Sequence, residues 1–313
     1  MSRVAITGIG TYLPRRYALH ELPPLDEPVG EEELAKIGVV RRGRAGEGEG
    51  IAEMGAAAAR RALERAGASA DSIDLIILSN WTQRRYIPEH APRLQKLLGA
   101  SSAFGFDVCG ACTGFLYGLA IARAFLGERR HRRALVVASE TTSQRARPGS
   151  KGTIILGDAA GAFVLEKDVA AGGELVDVEL ATDGDHHEIM DISPEGWVRT
   201  HIAQRELNAL AARSMSSACE RLLARNRLDW RDVDWLVPHS GTAGVQAALA
   251  RALPIPPERV LTNYAEVGNV SSASIPVALD EHLGKIRPGQ LVLSAAVGTG
   301  WYTAAALYRP VGA

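Results

Sequence analysis

The chain has 313 residues, of which 46% are hydrophobic and 23% charged, and its net charge at pH 7 is -1. This balance lacks the basic surplus of a nucleic-acid-binding protein, and no apolar run approaches the roughly 20 residues that cross a bilayer. We therefore expect neither nucleic acid nor a membrane as a partner. The three cysteines, Cys109, Cys112 and Cys219, lack paired spacing, which favours a reduced cytoplasmic protein over a disulfide framework.

The first half of the chain alternates apolar runs with helical patterns. Strands are predicted at Arg3–Thr11, Asp74–Ser79, Ser102–Val108, Ala134–Ser139 and in the latter part of Ile154–Glu166. Helices are predicted near Glu31–Ile37, at Ile51–Ala66 and Ala91–Leu98, and after Gly114. The rest of Tyr12–Glu49, Trp81–Glu89 and Thr141–Lys151 read as loops, because they are rich in polar residues, glycine or proline.

The second half repeats this order of elements. Strands are predicted at Glu174–Ala181, Asp234–Pro238, Leu291–Ala296 and Tyr302–Tyr308, and helices within His201–Asn226, Ala243–Leu253 and Ser274–His282. The stretch SIDLIILSN is matched by DVDWLVPHS, and RRALVVASE with AGAFVLEKD is matched by GQLVLSAAV with WYTAAALYR. Internal similarity over such a long period indicates a duplicated unit.

Continuous apolar strands that alternate with helices predict an α/β fold, in which helices cover both faces of buried sheets. We assign residues 1–170 to an N-terminal half and residues 171–313 to a C-terminal half. No polar linker separates them, so we expect one body with layers of helices and sheets.

The segment Phe106–Leu126, FDVCGACTGFLYGLAIARAFL, predicts a strand, a tight turn at Cys112 and a helix. A thiol at the start of a helix lies near free backbone N–H groups and the positive end of the helix dipole, which favour its thiolate. The small residues around Cys112 leave room for a substrate. A buried structural cysteine is an equal alternative from this segment alone.

Two further polar residues lie in turns at the end of a predicted strand or the start of a predicted helix. His239 ends the strand Asp234–Pro238, and ligands bind at strand ends in open α/β sheets. Asn269 lies in EVGNVSSASIP, just before a helix. Taken alone, His239 is better explained as a loop histidine, and Asn269 as a turn or cap residue.

Together, Cys112, His239 and Asn269 form a set that suits thioester chemistry. A thiolate attacks an acyl carbonyl and holds the acyl group as a thioester. Histidine and asparagine N–H groups stabilise negative charge that develops on the oxygen of a second thioester.

The motifs VAITGIGTYLP, DVCGACTGF, GTIILGDAAGAFVLE, VDWLVPH and GNVSSASIPVALDE with IRPGQLVL occur in an order and spacing that resemble the ketoacyl-acyl-carrier-protein synthase III family of the thiolase superfamily. The resemblance covers nearly the whole chain. It implies a thiolase-like duplicated α-β-α-β-α layered fold, a homodimer, and Cys112, His239 and Asn269 as the catalytic set. It also implies an oxyanion hole made by the backbone N–H groups of Cys112 and Thr299.

The resemblance further implies substrate contacts at Lys36, Lys151, Asn208 and Thr242. Several family features differ here. Ser240-Gly241-Thr242 replaces Gln-Ala-Asn after the histidine, the tryptophan that holds the coenzyme A adenine is missing near Gly30–Leu34, and Gln204–Asn208 lacks an aromatic residue. These differences predict a specialised relative that takes its acyl group from a carrier protein or uses a different acceptor.

Two functions are consistent with this sequence. In the first, Cys112 takes an acyl group from a coenzyme A or carrier-protein thioester, and a malonyl-carrier-protein thioester loses carbon dioxide and condenses with it. In the second, the acyl group passes to a hydroxyl or amine, with His239 as general base. We expect no cofactor and no metal, and we interpret His186–His187 as a solvated loop because a third ligand at suitable spacing is missing.

Overall fold

The computed structural model describes residues 3–22, 24–170 and 172–310, so the extreme ends of the two predicted halves lie outside the described residues. The strands are β1 Val4–Tyr12, β2 Arg16–Ala18, β3 Arg41–Gly43, β4 Leu75–Ser79, β5 Phe104–Val108, β6 Arg133–Thr141, β7 Asp158–Lys167, β8 Glu174–Thr182, β9 Met190–Ile192, β10 Val198–Thr200, β11 Trp235–Pro238, β12 Val292–Gly298 and β13 Tyr302–Arg309. The helices are α1 Glu31–Ile37, α2 Ile51–Ala66, α3 Ala91–Leu98, α4 Gly114–Gly127, α5 Gly152–Ile155, α6 Gln204–Arg225, α7 Ala243–Ala252, α8 Tyr264–Val267 and α9 Ser274–His282.

The first half forms a five-stranded sheet in the order β1-β7-β6-β4-β5. Strand β4 pairs in parallel with β5 and β6, and β7 pairs antiparallel with β6 and β1. Because β5 is at the edge, the turn that follows it, which carries Cys112, begins at the margin of this sheet.

The second half forms a sheet in the order β11-β12-β13-β8, which repeats β4-β6-β7-β1 of the first sheet in order and direction. The fifth strand is reduced to a single parallel bridge between Leu236 and Val260. This correspondence agrees with the internal similarity in the sequence. The boundary between residues 170 and 171 stays a prediction, and the two sheets lie on either side of it.

The sheets and helices stack in five layers. Helices α4 and α9 share one apolar core with the inner faces of both sheets, including Phe115, Leu119 and Leu279. Helices α2 and α3 pack on the outer face of the first sheet, and α6 and α7 on the outer face of the second. The expected α-β-α-β-α fold is therefore confirmed. Within the described ranges, no helix is long and apolar enough to cross a membrane.

Most element boundaries agree with the sequence patterns to within a few residues, and α1, α2, α3 and α9 agree at both ends. The patterns missed the pairs β2–β3 and β9–β10 and the short helices α5 and α8. These strands have three residues each and carry charged side chains, so no alternation is long enough to identify them. The pair β9–β10 matters for function because it forms part of the wall of the main cavity.

Candidate active site

Cys112 lies in a 3-10 turn, Ala111–Thr113, between β5 and α4. Ala111 has a φ of 47°, in the left-handed region that side chains rarely adopt, and such strained residues cluster at functional sites. The hydroxyl of Thr113 donates a hydrogen bond to the carbonyl of Gly110 at 2.6 Å. This turn holds Cys112 two residues before Gly114, the first residue of α4, where Cys112 borders a cavity.

The corresponding turn of the second half, Ser271–Ala273, lies directly before α9 and has the same shape. Ser271 has a φ of 50°, close to that of Ala111. Its hydroxyl donates a hydrogen bond to Cys112 Sγ at 3.3 Å and accepts one from Trp81 Nε1 at 2.6 Å. The two halves therefore meet at the sulfur through a chain of donors that starts at Trp81.

Sequence reasoning missed Ser271, and it placed Trp81 only in a loop. The run of small hydroxyl residues after Asn269 was a signal that could have identified Ser271. Trp81 had no comparable signal, because its contact with Ser271 joins residues 190 positions apart.

Burial raises the pKa of the Cys112 thiol to about 12, although the hydrogen bond from Ser271 acts in the opposite direction. The expectation that the start of the helix favours a thiolate is therefore wrong for the resting site. Loss of solvation around a buried thiolate outweighs the donors that surround it. The resting nucleophile is a neutral thiol, and its proton has to be removed when substrate arrives.

His239 directly follows β11, as expected from the sequence, and is buried. Its Nδ1 lies 3.1 Å from Ser274 Oγ, and Ser274 donates its own proton to the carbonyl of Ser271 at 2.6 Å. Ser274 therefore accepts from His239, so the neutral imidazole carries its proton on Nδ1. Burial lowers the pKa of His239 to about 4, so Nε2 has a free lone pair at neutral pH.

The backbone of Asn269 is fixed by two hydrogen bonds, one to the last residue of α5 and one to the segment that follows it. Its N–H donates to Ile155 at 2.7 Å, and its carbonyl accepts from Gly157 at 3.0 Å. Gly268 has a φ of 71°, and a Cβ atom there would lie 2.4 Å from the Ile155 carbonyl oxygen, so a larger residue does not fit. The Oδ1 atom of Asn269 accepts the N–H of Ser271 at 2.9 Å, which leaves Nδ2 as the donor on the side of the cavity.

The end of β12 lies against the Cys112 turn. A Cβ atom on Gly298 would lie 2.9 Å from the backbone nitrogen of Cys112, so only glycine allows this approach. Thr299 follows Gly298 and borders both cavities that Cys112 borders. This proximity is compatible with the predicted oxyanion hole, which stays a prediction.

Two cavities meet at Cys112. The larger has a volume of about 550 Å³ and the smaller about 100 Å³. Their shared wall contains Cys112, Met190, Gln204, Leu207, Thr242, Asn269 and Thr299. His239 borders the smaller cavity, and Trp81 borders the larger one. All three predicted catalytic residues therefore surround one space.

The predicted substrate contacts are less closely grouped. Thr242 borders both cavities and accepts the N–H of Val245 at 3.3 Å, which caps α7. Asn208 accepts a hydrogen bond from Gln204 at 2.8 Å. Lys36 pairs with Glu32 on the surface of α1 at 2.7 Å, and Lys151 pairs with Glu33. The roles of these four residues stay predictions.

The wall of the larger cavity also carries three arginines, Arg145, Arg147 and Arg199. Arg147 pairs with Asp26 at 2.7 Å and Arg199 with Asp191 at 2.6 Å, and both are about half exposed. Arg145 donates to the carbonyls of Thr82 and Gly196. Among the described residues, no group of three or more histidine, cysteine or acidic side chains could hold a metal ion.

The family model described as 3-oxoacyl-[acyl-carrier-protein] synthase III matches residues 106–184, and the model for the C-terminal part of that family matches residues 223–310. The chain is 34% identical to the beta-ketoacyl-[acyl-carrier-protein] synthase III of Salmonella typhimurium over 97% of this chain and 98% of the relative. A relative of the same name from Escherichia coli gives the same values.

The chain is also similar to solved structures of proteins with this or a related name. The crystal structure of 3-oxoacyl-[acyl-carrier-protein] synthase III from Aquifex aeolicus is 32% identical, with a TM-score of 0.91 over 98% of this chain and 99% of that one. The priming β-ketosynthase of the R1128 polyketide biosynthetic pathway is 29% identical, with a TM-score of 0.89 over 99% of this chain and 97% of that one.

The hydrogen bond from Ser271 to the sulfur generates a testable prediction. Replacement of Ser271 by alanine removes a donor that stabilises the thiolate, so Cys112 should react with iodoacetamide about tenfold more slowly at a fixed pH. Mass spectrometry of the peptide that contains Cys112 measures this rate. Ser216→Ala is the matched control, because the Ser216 hydroxyl is buried in α6 and has no hydrogen-bond partner among the described residues. An unchanged rate in folded Ser271→Ala would contradict this role.

Proposed function

Because this chain belongs to the 3-oxoacyl-[acyl-carrier-protein] synthase III family, we propose that Cys112 carries the acyl group during its reaction. The chain is a ketoacyl synthase III-like acyltransferase, a condensing enzyme. The observation that carries the assignment of residues is that the cavity wall joins Cys112, His239 and Asn269 with the loop that contains Thr299.

In the first half-reaction, the sulfur of Cys112 attacks the carbonyl carbon of an acyl thioester. The thiol proton moves to Nε2 of His239, the acyl group forms a thioester with Cys112, and the departing thiol leaves with that proton. His239 suits this step because its Nδ1 donates to Ser274 and Nε2 is unprotonated. The N–H groups of Cys112 and Thr299 would stabilise the charged carbonyl oxygen.

In the second half-reaction, a malonyl thioester loses carbon dioxide, and the carbon–carbon bond electrons become an enolate. The enolate carbon attacks the acyl carbonyl, Cys112 leaves as a thiolate and takes up a proton from solvent, and a 3-ketoacyl thioester is formed. Nδ2 of Asn269 is oriented to donate to the enolate oxygen, because Oδ1 is occupied by Ser271. His239 can donate there only when its proton lies on Nε2.

The thioester carrier is a coenzyme A or acyl-carrier-protein group, both of which bear phosphate. Arg147 and Arg199 support this proposal, because they give the cavity wall two half-exposed cations that suit phosphate. Thr242 would contact the carrier arm where it passes between the cavities. We also expect the enzyme to work in the cytoplasm, where both carriers occur.

Transfer to a hydroxyl or amine is the second candidate function. The free lone pair on Nε2 of His239 favours it, because a general base is what such an acceptor requires. Both functions share the acyl-enzyme and differ in the release of carbon dioxide.

The acyl-enzyme gives the direct test of this proposal. After incubation with a short acyl coenzyme A or acyl-carrier-protein thioester, the wild-type chain should gain one acyl mass, located on Cys112. Cys112→Ala should gain none, while Cys109→Ser should load normally, because Cys109 is exposed and borders neither cavity. An acyl group on any other residue, or equal labelling of Cys112→Ala, would contradict the proposal.

We further propose a homodimer formed along the free edge of β5. Phe104 on this strand is 43% exposed, and Tyr86 and Ile87 in the nearby loop are 89% and 93% exposed. An open strand edge beside exposed apolar side chains favours association with a second copy. Light scattering should give twice the chain mass, and Phe104→Asp with Ile87→Asp should reduce it to one chain. A monomeric wild type would contradict this interface.

A further inference from the structure

A buried carboxylate lies behind the Cys112 turn and takes no part in the proposed acyl transfer and condensation. Glu140 is on β6, in the middle of the first sheet, and its side chain is fully buried. Isolated buried carboxylates are costly, so they occur where several donors satisfy them. The donors here come from both halves of the chain.

One oxygen of Glu140 holds the loop that carries Trp81. Oε2 accepts the Thr82 hydroxyl at 2.8 Å and the backbone N–H groups of Trp81 and Thr82, both at 3.3 Å. The Thr82 hydroxyl oxygen in turn accepts the N–H of Thr141 at 2.9 Å. This arrangement fixes the backbone of Trp81, whose indole donates to Ser271.

The other oxygen holds the turn that carries Ser271. Oε1 accepts the hydroxyl of Ser272 at 2.6 Å, and Ser272 also accepts a hydrogen bond from Ser79 at 3.1 Å. Ser272 is the counterpart of Cys112 in the second half, because each occupies the middle of its 3-10 turn. One carboxylate therefore connects the two segments that position the Ser271 hydroxyl on the sulfur.

The charge of Glu140 also acts on the nucleophile. Burial is the main cause of the raised pKa of the Cys112 thiol, and the negative charge of Glu140 raises this pKa further. Burial raises the pKa of Glu140 itself to about 7, and the hydrogen bonds from Ser272, Thr82 and Trp81 act in the opposite direction. The carboxylate is therefore charged above about pH 7 and neutral below it.

Other ionisable groups on the elements around Glu140 have partners of their own. Asp158 on β7 is held by the N–H groups of Ala45 and Ser143, and Glu166 on the same strand pairs with Arg133.

The helices around Glu140 carry paired groups as well. On α4, Arg123 pairs with Asp177 and Tyr117 is hydrogen-bonded to Thr182. Arg145 binds the Thr82 carbonyl, and on α2 Glu53 pairs with Arg93, Arg65 with Asp280 and Arg61 with the Thr11 carbonyl.

We propose that Glu140 is a positioning residue for the acyl transfer: it ties the Trp81 loop to the Ser271 turn, and its negative charge adds to burial in opposing formation of the Cys112 thiolate before substrate binds. This inference rests on the proposed role of Cys112. Its two parts are separable, because glutamine in place of Glu140 removes the charge and keeps most of the hydrogen bonds. The carbonyl of the introduced amide can accept from Trp81 and Thr82, and its NH₂ group can donate to Ser272, which can turn its own proton toward Ser79.

The test measures alkylation of Cys112 by iodoacetamide in the absence of substrate, with all variants in a Cys109→Ser background so that the exposed thiol does not react. Above pH 7, Glu140→Gln should react about tenfold faster than the parent chain, because one nearby negative charge is gone. Below pH 7 the two rates should converge, because Glu140 is then neutral in the parent chain. A loosened site alone would not produce this dependence on pH.

Two further variants complete the test. Glu166→Gln removes a buried carboxylate on β7 and should react at the parent rate. Glu140→Asp keeps the charge but is too short to reach both segments, so its alkylation should not accelerate while its kcat for acyl transfer falls about tenfold. Equal alkylation of folded Glu140→Gln and the parent chain, or acceleration that persists below pH 7, would overturn the proposal. Alkylation needs no acyl transfer, so this outcome is distinct from failure of the acyl-enzyme test.

Discussion

The contact between the Ser271 hydroxyl and the sulfur of Cys112 is the interaction on which the site depends. It joins two turns of the same shape, one from each half, and it forms only because the helices α4 and α9 start side by side between the two sheets. Glycines allow the approach: Gly114 leaves room for Ser79, and Gly298 leaves room for the backbone of Cys112. The five-layer fold therefore matters for function chiefly because it brings these two turns together.

Burial then determines the protonation states in the site. It disfavours every charged form, so Cys112 rests as a thiol and His239 as a neutral imidazole. A nucleophile that is neutral at rest is protected from stray electrophiles, and the cost is that its proton has to be removed during the reaction. The base that fits this task is Nε2 of His239, and the hydrogen bond from Ser271 reduces the energy needed to form the thiolate.

The sequence predicted those parts of the molecule that local patterns encode. Strand and helix periods gave the order of elements and the duplication, and turns rich in small residues identified Cys112, His239 and Asn269. The patterns missed Ser271 and Glu140, because their importance comes from contacts between residues far apart in the chain. The prediction that Cys112 is a thiolate at rest was also wrong. The start of a helix can be recognised in a sequence, but the depth of burial that raises the pKa of the thiol cannot.

The central claim is that the acyl group on Cys112 is consumed by a decarboxylating carbon nucleophile. A single-turnover measurement tests it most directly: isolated acyl-enzyme is mixed with a malonyl-carrier-protein thioester, and acyl loss, carbon dioxide and product mass are followed together. We predict one carbon dioxide and one 3-ketoacyl thioester for each acyl group that leaves Cys112. Loss of the acyl group without release of carbon dioxide would contradict it.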